Sequence, residues 1–247
     1  MLRGCVSEGG NFLWPGVRAG YNVTIEAQGP SGEAVVMTTL SLQPRIFSIS
    51  PLLADFESEA IISQAAPIMV ASPVMVRTNK QSAAERAKSA AKRTSTQARL
   101  PLGGNTVAAQ IERRGHELLR VGVEHGEPLQ VLRYDAGEKY DAHYDFFNTS
   151  LYGGQVPITR ILLSSQAQTD LVSLLPIMQD RVLGITEGGR NRFATLLWYL
   201  AEPESGGGET FFPRVGGLDR PKTFKCDHRP LTQGLKVAPR KGSATLL

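Results

Sequence analysis

Within the stretch Leu129–Asn148, LQVLRYDAGEKYDAHYDFFN, a histidine and an aspartate stand two positions apart, at His143 and Asp145. On an extended chain, residues i and i+2 point to the same side. The pair therefore aims an imidazole and a carboxylate at one point. Those are two of the three donors of a 2-His-1-carboxylate triad, which holds non-haem Fe(II) and leaves positions open for a cosubstrate and oxygen. Taken alone, the triplet is also what a surface histidine beside a capping aspartate gives.

The elements that must position the pair can be read around it. Leu129, Val131 and Arg133 alternate with Gln130, Leu132 and Tyr134, which predicts a strand, and Asp135-Ala136-Gly137 supplies turn chemistry. A second extended piece, read as a strand, then carries His143-Tyr144-Asp145. Upstream, residues 1–20 show no periodicity, and 21–40 read as a hairpin turning at Gly29-Pro30-Ser31-Gly32. LSLQPRIFSI reads as a short strand interrupted by Pro44. Asp55 is expected to cap a helix that runs to about Ala66 and stops at Pro67, with Glu57 and Glu59 near its positive end. A second helix is expected over about Thr106 to Arg120. It buries Val107, Ala108, Ile111 and Leu118, is interrupted by Arg114, and has Gly122 as a candidate stop. His116 and His125 stand in no metal spacing and read as structural or exposed. Arg192–Leu200 is almost continuously apolar, as a strand buried on both faces should be. The glycines of Gly206–Gly208 read as a tight turn, and Ser243–Leu247 as the start of a further strand.

Composition sets wide bounds. The 247 residues, 41% hydrophobic, suffice for one large domain or two small ones. The net charge of +4 is spread along the chain and says little about nucleic acid. Residues 77–99 are the basic exception, with Arg77, Lys80, Arg86, Lys88, Lys92, Arg93 and Arg99 among small residues. They read as a solvated helix or flexible loop. No aromatic residue in them could stack a base, so nucleic acid is not an expected partner. Two cysteines, Cys5 and Cys226, make no disulfide framework and are expected as free thiols. No apolar run is long enough to span a membrane, and MLRGCVSEGGNF lacks the apolar core of a signal peptide. Asn22-Val23-Thr24 and Asn148-Thr149-Ser150 are glycosylation sequons, meaningful only in a secretory compartment.

The run around the pair resembles the core of the prolyl 4-hydroxylases, Fe(II)- and 2-oxoglutarate-dependent dioxygenases with a pattern of roughly LQVxxYxxGxKYxxHxDxF. The chain matches it at Leu129, Gln130, Val131, Tyr134, Gly137, Lys139, Tyr140, His143, Asp145 and Phe147. Further matches are the PRxF run from Pro44 to Phe47, Arg93-Thr94-Ser95 against an RTS segment, Glu204–Pro213 against EGGETxFP, and Gly234–Gly242 against GLxVKPRKG. The resemblance implies an α+β fold with a double-stranded β-helix (jelly-roll-like) core and flanking N-terminal helices. Residues 1–38 would form an irregular segment and hairpin, and 39–247 the dioxygenase domain, with an insertion at about 151–190 that is either a loop or a gene-model error. It implies hydroxylation of peptidyl proline with Fe(II), 2-oxoglutarate and O2, with ascorbate as a further cofactor, a proline-containing peptide or protein as partner, and the endoplasmic reticulum as compartment, the cytoplasm being the alternative. His143 and Asp145 take the place of metal ligands, and Tyr134 and Thr195 that of groups contacting 2-oxoglutarate. Arg93 and Tyr140 stand on the substrate side, and residues 77–99 correspond to a lid that closes over the peptide. The core packing of a satisfied hydroxyl is the competing reading for Tyr134 and Thr195.

The family's distal metal histidine and its 2-oxoglutarate lysine are expected beyond Gly242, and neither follows. His228 lies too early and Lys241 belongs to the PRKG turn, so neither inherits those roles. The expectation is a chain lacking its C-terminal core strands, with Ala244–Leu247 beside unpaired edges, poor solubility and negligible turnover. A non-catalytic truncated relative and a jelly-roll binding module are the alternatives.

Overall fold

The chain is described here by a computed structural model covering residues 5–6, 12–73, 82, 84, 87, 91–101, 103, 106–145, 160–168, 171–173, 192–204, 206–215 and 234–247. Of the expected lid at 77–99, residues 77–81, 83, 85–86 and 88–90 fall outside these residues, as do Cys226, His228 and the second sequon. The strands in chain order are β1 (Cys5–Val6), β2 (Phe12–Leu13), β3 (Asn22–Ile25), β4 (Val35–Leu42), β5 (Arg45–Ser50), β6 (Val70–Ala71) and β7 (Thr96–Leu100). There follow β8 (Leu129–Tyr134), β9 (Arg160–Gln168), β10 (Leu171–Ser173), β11 (Arg192–Tyr199), β12 (Gly207–Phe212), β13 (Leu235–Val237) and β14 (Ala244–Leu246). The helices are α1 (Asp55–Ala65) and α2 (Thr106–Leu119).

Nine strands form one sheet in the order β3-β4-β5-β14-β11-β9-β8-β7-β6, and β10-β12-β13 form a second. β1 and β2 pair with each other. Pairing is antiparallel except for β8 with β9, β9 with β11, and β10 with β12. The fold is thus α+β with mostly antiparallel sheets and few helices. Alternation assigns the two faces of the large sheet. Leu129, Val131, Leu196, Trp198, Phe47 and Ile49 belong to a buried cluster with Ile61 of α1 and with Ile111 and Leu118 of α2. On the other face Ile46 and Leu247 pack with Phe212 and Val237 of the small sheet.

The hairpin over 21–40 forms as expected, with Asn22 opposite Thr38 and Ile25 opposite Val35. Residues 38 and 39, where the reading above divides an N-terminal segment from the domain, are consecutive residues of β4. Pro44 does not interrupt a strand. It lies in the turn of a hairpin in which β4 folds back onto β5, Leu42 opposite Arg45. Without an N–H and with a fixed φ, proline suits such a turn better than a ladder.

The cap of α1 is Ala54, not Asp55. The Ala54 N–H donates to Glu57 Oε2 at 2.9 Å, while the Asp55 carboxylate meets Lys241 Nζ at 3.0 Å. α2 ends at Arg120, not Gly122. Arg120 takes a left-handed φ of 53°, and the Val121 N–H reaches back to the His116 carbonyl. The Arg120 guanidinium then covers the Phe12 ring at 4.1 Å, and Trp14 Nε1 donates to the Leu118 carbonyl at 2.8 Å. Arg114 does not spoil the buried face of α2. It forms a two-pronged bridge to Glu57 of α1, at 2.8 and 3.0 Å, and donates to the Leu52 carbonyl at 2.7 Å.

Three long-range features depart from expectation. β8 does not alternate in burial, for Leu129 to Leu132 are all buried, with the helices against one face and the site on the other. Part of the expected insertion is a strand, since β9 lies between β8 and β11 and runs parallel to both. β14 is not beside unpaired edges. Leu246 pairs with Phe47 on one side and with Leu196 on the other.

Candidate metal centre

The segment carrying His143 and Asp145 is not a strand. After β8 the chain turns at Asp135–Glu138, where Gly137 adopts a φ of 79° that a side chain would resist. It then runs beside residues 92–94. The Thr94 N–H donates to the Lys139 carbonyl and the Asp141 N–H to the Lys92 carbonyl. Tyr140 makes an isolated bridge with Arg93. That is too little pairing to make a ladder, and residues 142–145 are irregular.

The i, i+2 relation nevertheless brings the two side chains together. His143 Nε2 lies 3.4 Å from Asp145 Oδ1. The other ring nitrogen, Nδ1, lies 2.8 Å from the Asp141 carbonyl oxygen. A carbonyl only accepts, so this contact places a proton on Nδ1 and turns Nε2 toward Asp145. The Tyr140 ring stacks on the imidazole with centroids 3.7 Å apart, and the Arg93 guanidinium lies 4.4 Å from the Tyr140 centroid. Arg93, Tyr140 and His143 therefore form one stacked column.

Asp145 is 3% exposed. The Thr195 hydroxyl donates to its Oδ2 at 2.7 Å, and Arg192 Nη1 donates to its backbone carbonyl at 3.1 Å. Burial alone would push the carboxyl up, but the bonding and charge of His143, then Arg192, then the Thr195 hydroxyl, outweigh it and hold the pKa below the ordinary value. Arg192 spends most of its charge elsewhere, in a two-pronged bridge to Glu127 at 2.7 and 3.1 Å. That bridge outweighs burial and keeps the guanidinium pKa raised. Tyr140 is held above the ordinary phenol value, chiefly by burial.

Of the six residues singled out from the sequence, five form one connected set. His143, Asp145 and Thr195 are in direct contact, as are Arg93, Tyr140 and His143. Tyr134 lies fully buried on the face of β8 turned toward Tyr140, in the cluster of Leu132 and Tyr134. Thr195 commits its proton to Asp145, leaving its lone pairs for any other group. The sequence reading missed Arg192 and Glu127. Both are charged residues at the entrance to strands, Glu127 two residues before β8 and Arg192 the first residue of β11, which is the one local signal they give. It also missed a buried hydroxyl junction, in which Tyr199 Oη lies 3.0 Å from Thr210 Oγ1 and 3.1 Å from Thr245 Oγ1. That junction joins β11, β12 and β14 across the two sheets.

An imidazole nitrogen and a buried carboxylate oxygen 3.4 Å apart fit two adjacent positions around one non-haem Fe(II). Among the described residues no group of three or more His, Cys, Asp or Glu side chains converges. Among the described residues, too, no helix is long and apolar enough to cross a membrane.

No family model matches the chain. Among curated proteins it is 31% identical over 208 residues to probable prolyl 4-hydroxylase 3 of Arabidopsis thaliana, covering 84% of this chain and 59% of that protein. It is 30% identical over 208 residues to prolyl 4-hydroxylase 5 of the same plant, covering 84% and 58%. Against prolyl 4-hydroxylase 2 the identity is 30% over 211 residues, covering 84% and 57%. The chain spans less than two thirds of the length of these relatives.

Proposed function

On the premise that the chain belongs, over 84% of its length, to the prolyl 4-hydroxylase family, we propose that it hydroxylates peptidyl proline as a 2-oxoglutarate-dependent dioxygenase. In this reading the two sheets are the core of a double-stranded β-helix, with the site on the face of the large sheet away from the helices. Bound Fe(II), with 2-oxoglutarate and O2, supplies the oxidising chemistry, and ascorbate keeps the metal reduced. The residues of this chain bind and orient. His143 and Asp145 hold the metal, Nε2 through its lone pair and Oδ1 as an anion at neutral pH. Thr195 fixes the rotamer of Asp145, and Asp141 the tautomer of His143. Tyr134, with Thr195, lines the place for 2-oxoglutarate. Arg93 and Tyr140 carry the peptide side. The endoplasmic reticulum, where such peptides are modified, is the proposed compartment.

The observation that carries this reading is the contact of His143 Nε2 with a buried, Thr195-bound Asp145 carboxylate. Its test is turnover of 2-oxoglutarate with Fe(II) and a proline-rich peptide. His143→Ala and Asp145→Ala should each abolish it, because the one remaining donor side chain would not hold Fe(II). Substantial turnover in either variant would sink the assignment. A second reading, a non-catalytic relative, is favoured by the meeting of only two donor side chains among the described residues. Metal binding that depends on His143, without turnover, would select it.

A further inference from the structure

The segment around His143 and Asp145 is not held by a ladder of backbone hydrogen bonds, so side chains must fix it. On its inner side Thr195, Arg192 and the Tyr140 ring do so. Its outer side carries Tyr144, which alternates with the two donors and is 39% exposed. Over that ring lies the guanidinium of Arg214, with Cζ 4.9 Å from the ring centroid, inside the range of a cation–π contact. Arg214 stands just past β12, in a turn closed by the Val215 N–H on the Phe212 carbonyl at 3.3 Å. Val215 is itself packed on the core cluster of the small sheet. The arginine is therefore mounted on a turn anchored at both sides, and it reaches to the back of the donor-bearing segment.

We propose that Arg214 is a positioning residue for the metal-binding segment. Its guanidinium clasps Tyr144 from outside and so sets the angle at which His143 and Asp145 present their donors. The inference rests on the reading of His143 and Asp145 as ligands, yet neither member of the clasp touches the metal. A contact of this kind, partly exposed, accounts for about a fivefold change in affinity, equivalent to about 1 kcal/mol.

The test is an anaerobic titration of the full chain with Co(II) alone, reading both the dissociation constant and the d–d absorption. Arg214→Ala and Tyr144→Ala should each weaken binding about fivefold and alter the d–d bands. The double variant should be no weaker than either single one, and Tyr144→Phe, which keeps the ring, should match the wild type. Hydrogen exchange at Asp141, whose N–H donates to the Lys92 carbonyl, should quicken in both alanine variants, with the melting temperature lowered by no more than about 4 °C. Wild-type binding by the alanine variants, additive losses, or a Tyr144→Phe variant as weak as Tyr144→Ala would each overturn the clasp. Cobalt binding that survives His143→Ala would instead overturn the ligand reading. Unchanged exchange at Asp141 would overturn the clasp whatever the metal does.

Discussion

At the scale of single residues, Asp145 shows how a buried carboxylate is made tolerable. Its charge meets a hydroxyl, an imidazole and a nearby guanidinium, so removing any one leaves the others to carry an anion in a dry place. Thr195→Val keeps the shape and deletes the 2.7 Å bond. It should lower stability by about 1.5–3 kcal/mol, as for a hydrogen bond to a charged group, read as the shift of a urea midpoint. His116 makes the opposite case, a buried base held neutral. Burial pushes its pKa down, more than the Val121 backbone and Glu124 raise it, and His125 adds to the lowering. Glu112 stands one turn earlier on α2, its own pKa raised by burial. For His116 the sign follows from proton binding. Above the unfolded value of about 6.5 both states are neutral and the group contributes nothing. Below it the unfolded chain takes a proton that the folded chain refuses, so stability falls as pH falls. Glu112 acts in the other direction and is common to both proteins in the comparison. His116→Gln should therefore lose less stability than the wild type between pH 7 and pH 5.5, measured by urea midpoints at both pH values. What was legible at this scale was local. His143 and Asp145 announce themselves two residues apart and Thr195 shows itself only through the family resemblance, whereas Arg192 and Glu127 reach the same point from distant positions and give no shared signal.

At the scale of elements, the helices were legible from their 3.6-residue periodicity and their partners were not. Arg114 looked like a flaw in the apolar face of α2 because its partner, Glu57, lies on another helix. In the structure the two side chains are 11% and 1% exposed and bonded at 2.8 Å. Glu57 also closes the N-terminus of α1 through Ala54. Arg114→Met should thus strand a buried carboxylate and loosen a helix start at once, a loss of about 3–5 kcal/mol in a thermal or urea melt. A melt within 1 kcal/mol of the wild type, small against the cost of an unpaired buried charge, would mean that water reaches Glu57. The strand that should have carried the HxD pair failed for a similar reason. Extended geometry needs only local φ and ψ, but a ladder needs a partner edge, and residues 92–94 supply one only as far as Asp141. The same limit hid β9, whose neighbours β8 and β11 cannot be inferred from its own composition.

At the scale of the whole molecule, the large sheet has a protected middle and two exposed ends. β5, β14 and β11 sit inside it, and β3 and β6 are its edges. Hydrogen exchange should be slowest at Ile49, Leu246 and Leu197 and fastest at Val23 and Val70, because edge amides open without disturbing the core. Uniform rates across the sheet would contradict that order. One pairing in this middle reaches beyond the finished fold. Ala244 sits opposite Ile49, so the strand that joins the two halves of the sheet is made long after its partner. A ribosome adding about 5–20 residues each second needs roughly 10–40 s to cover that interval. Throughout it the nascent β4–β5 hairpin holds out a naked apolar edge. Such an edge invites pairing with a neighbouring polypeptide, so a chaperone that shields β5 until residue 246 emerges would decide how much of the synthesised protein survives.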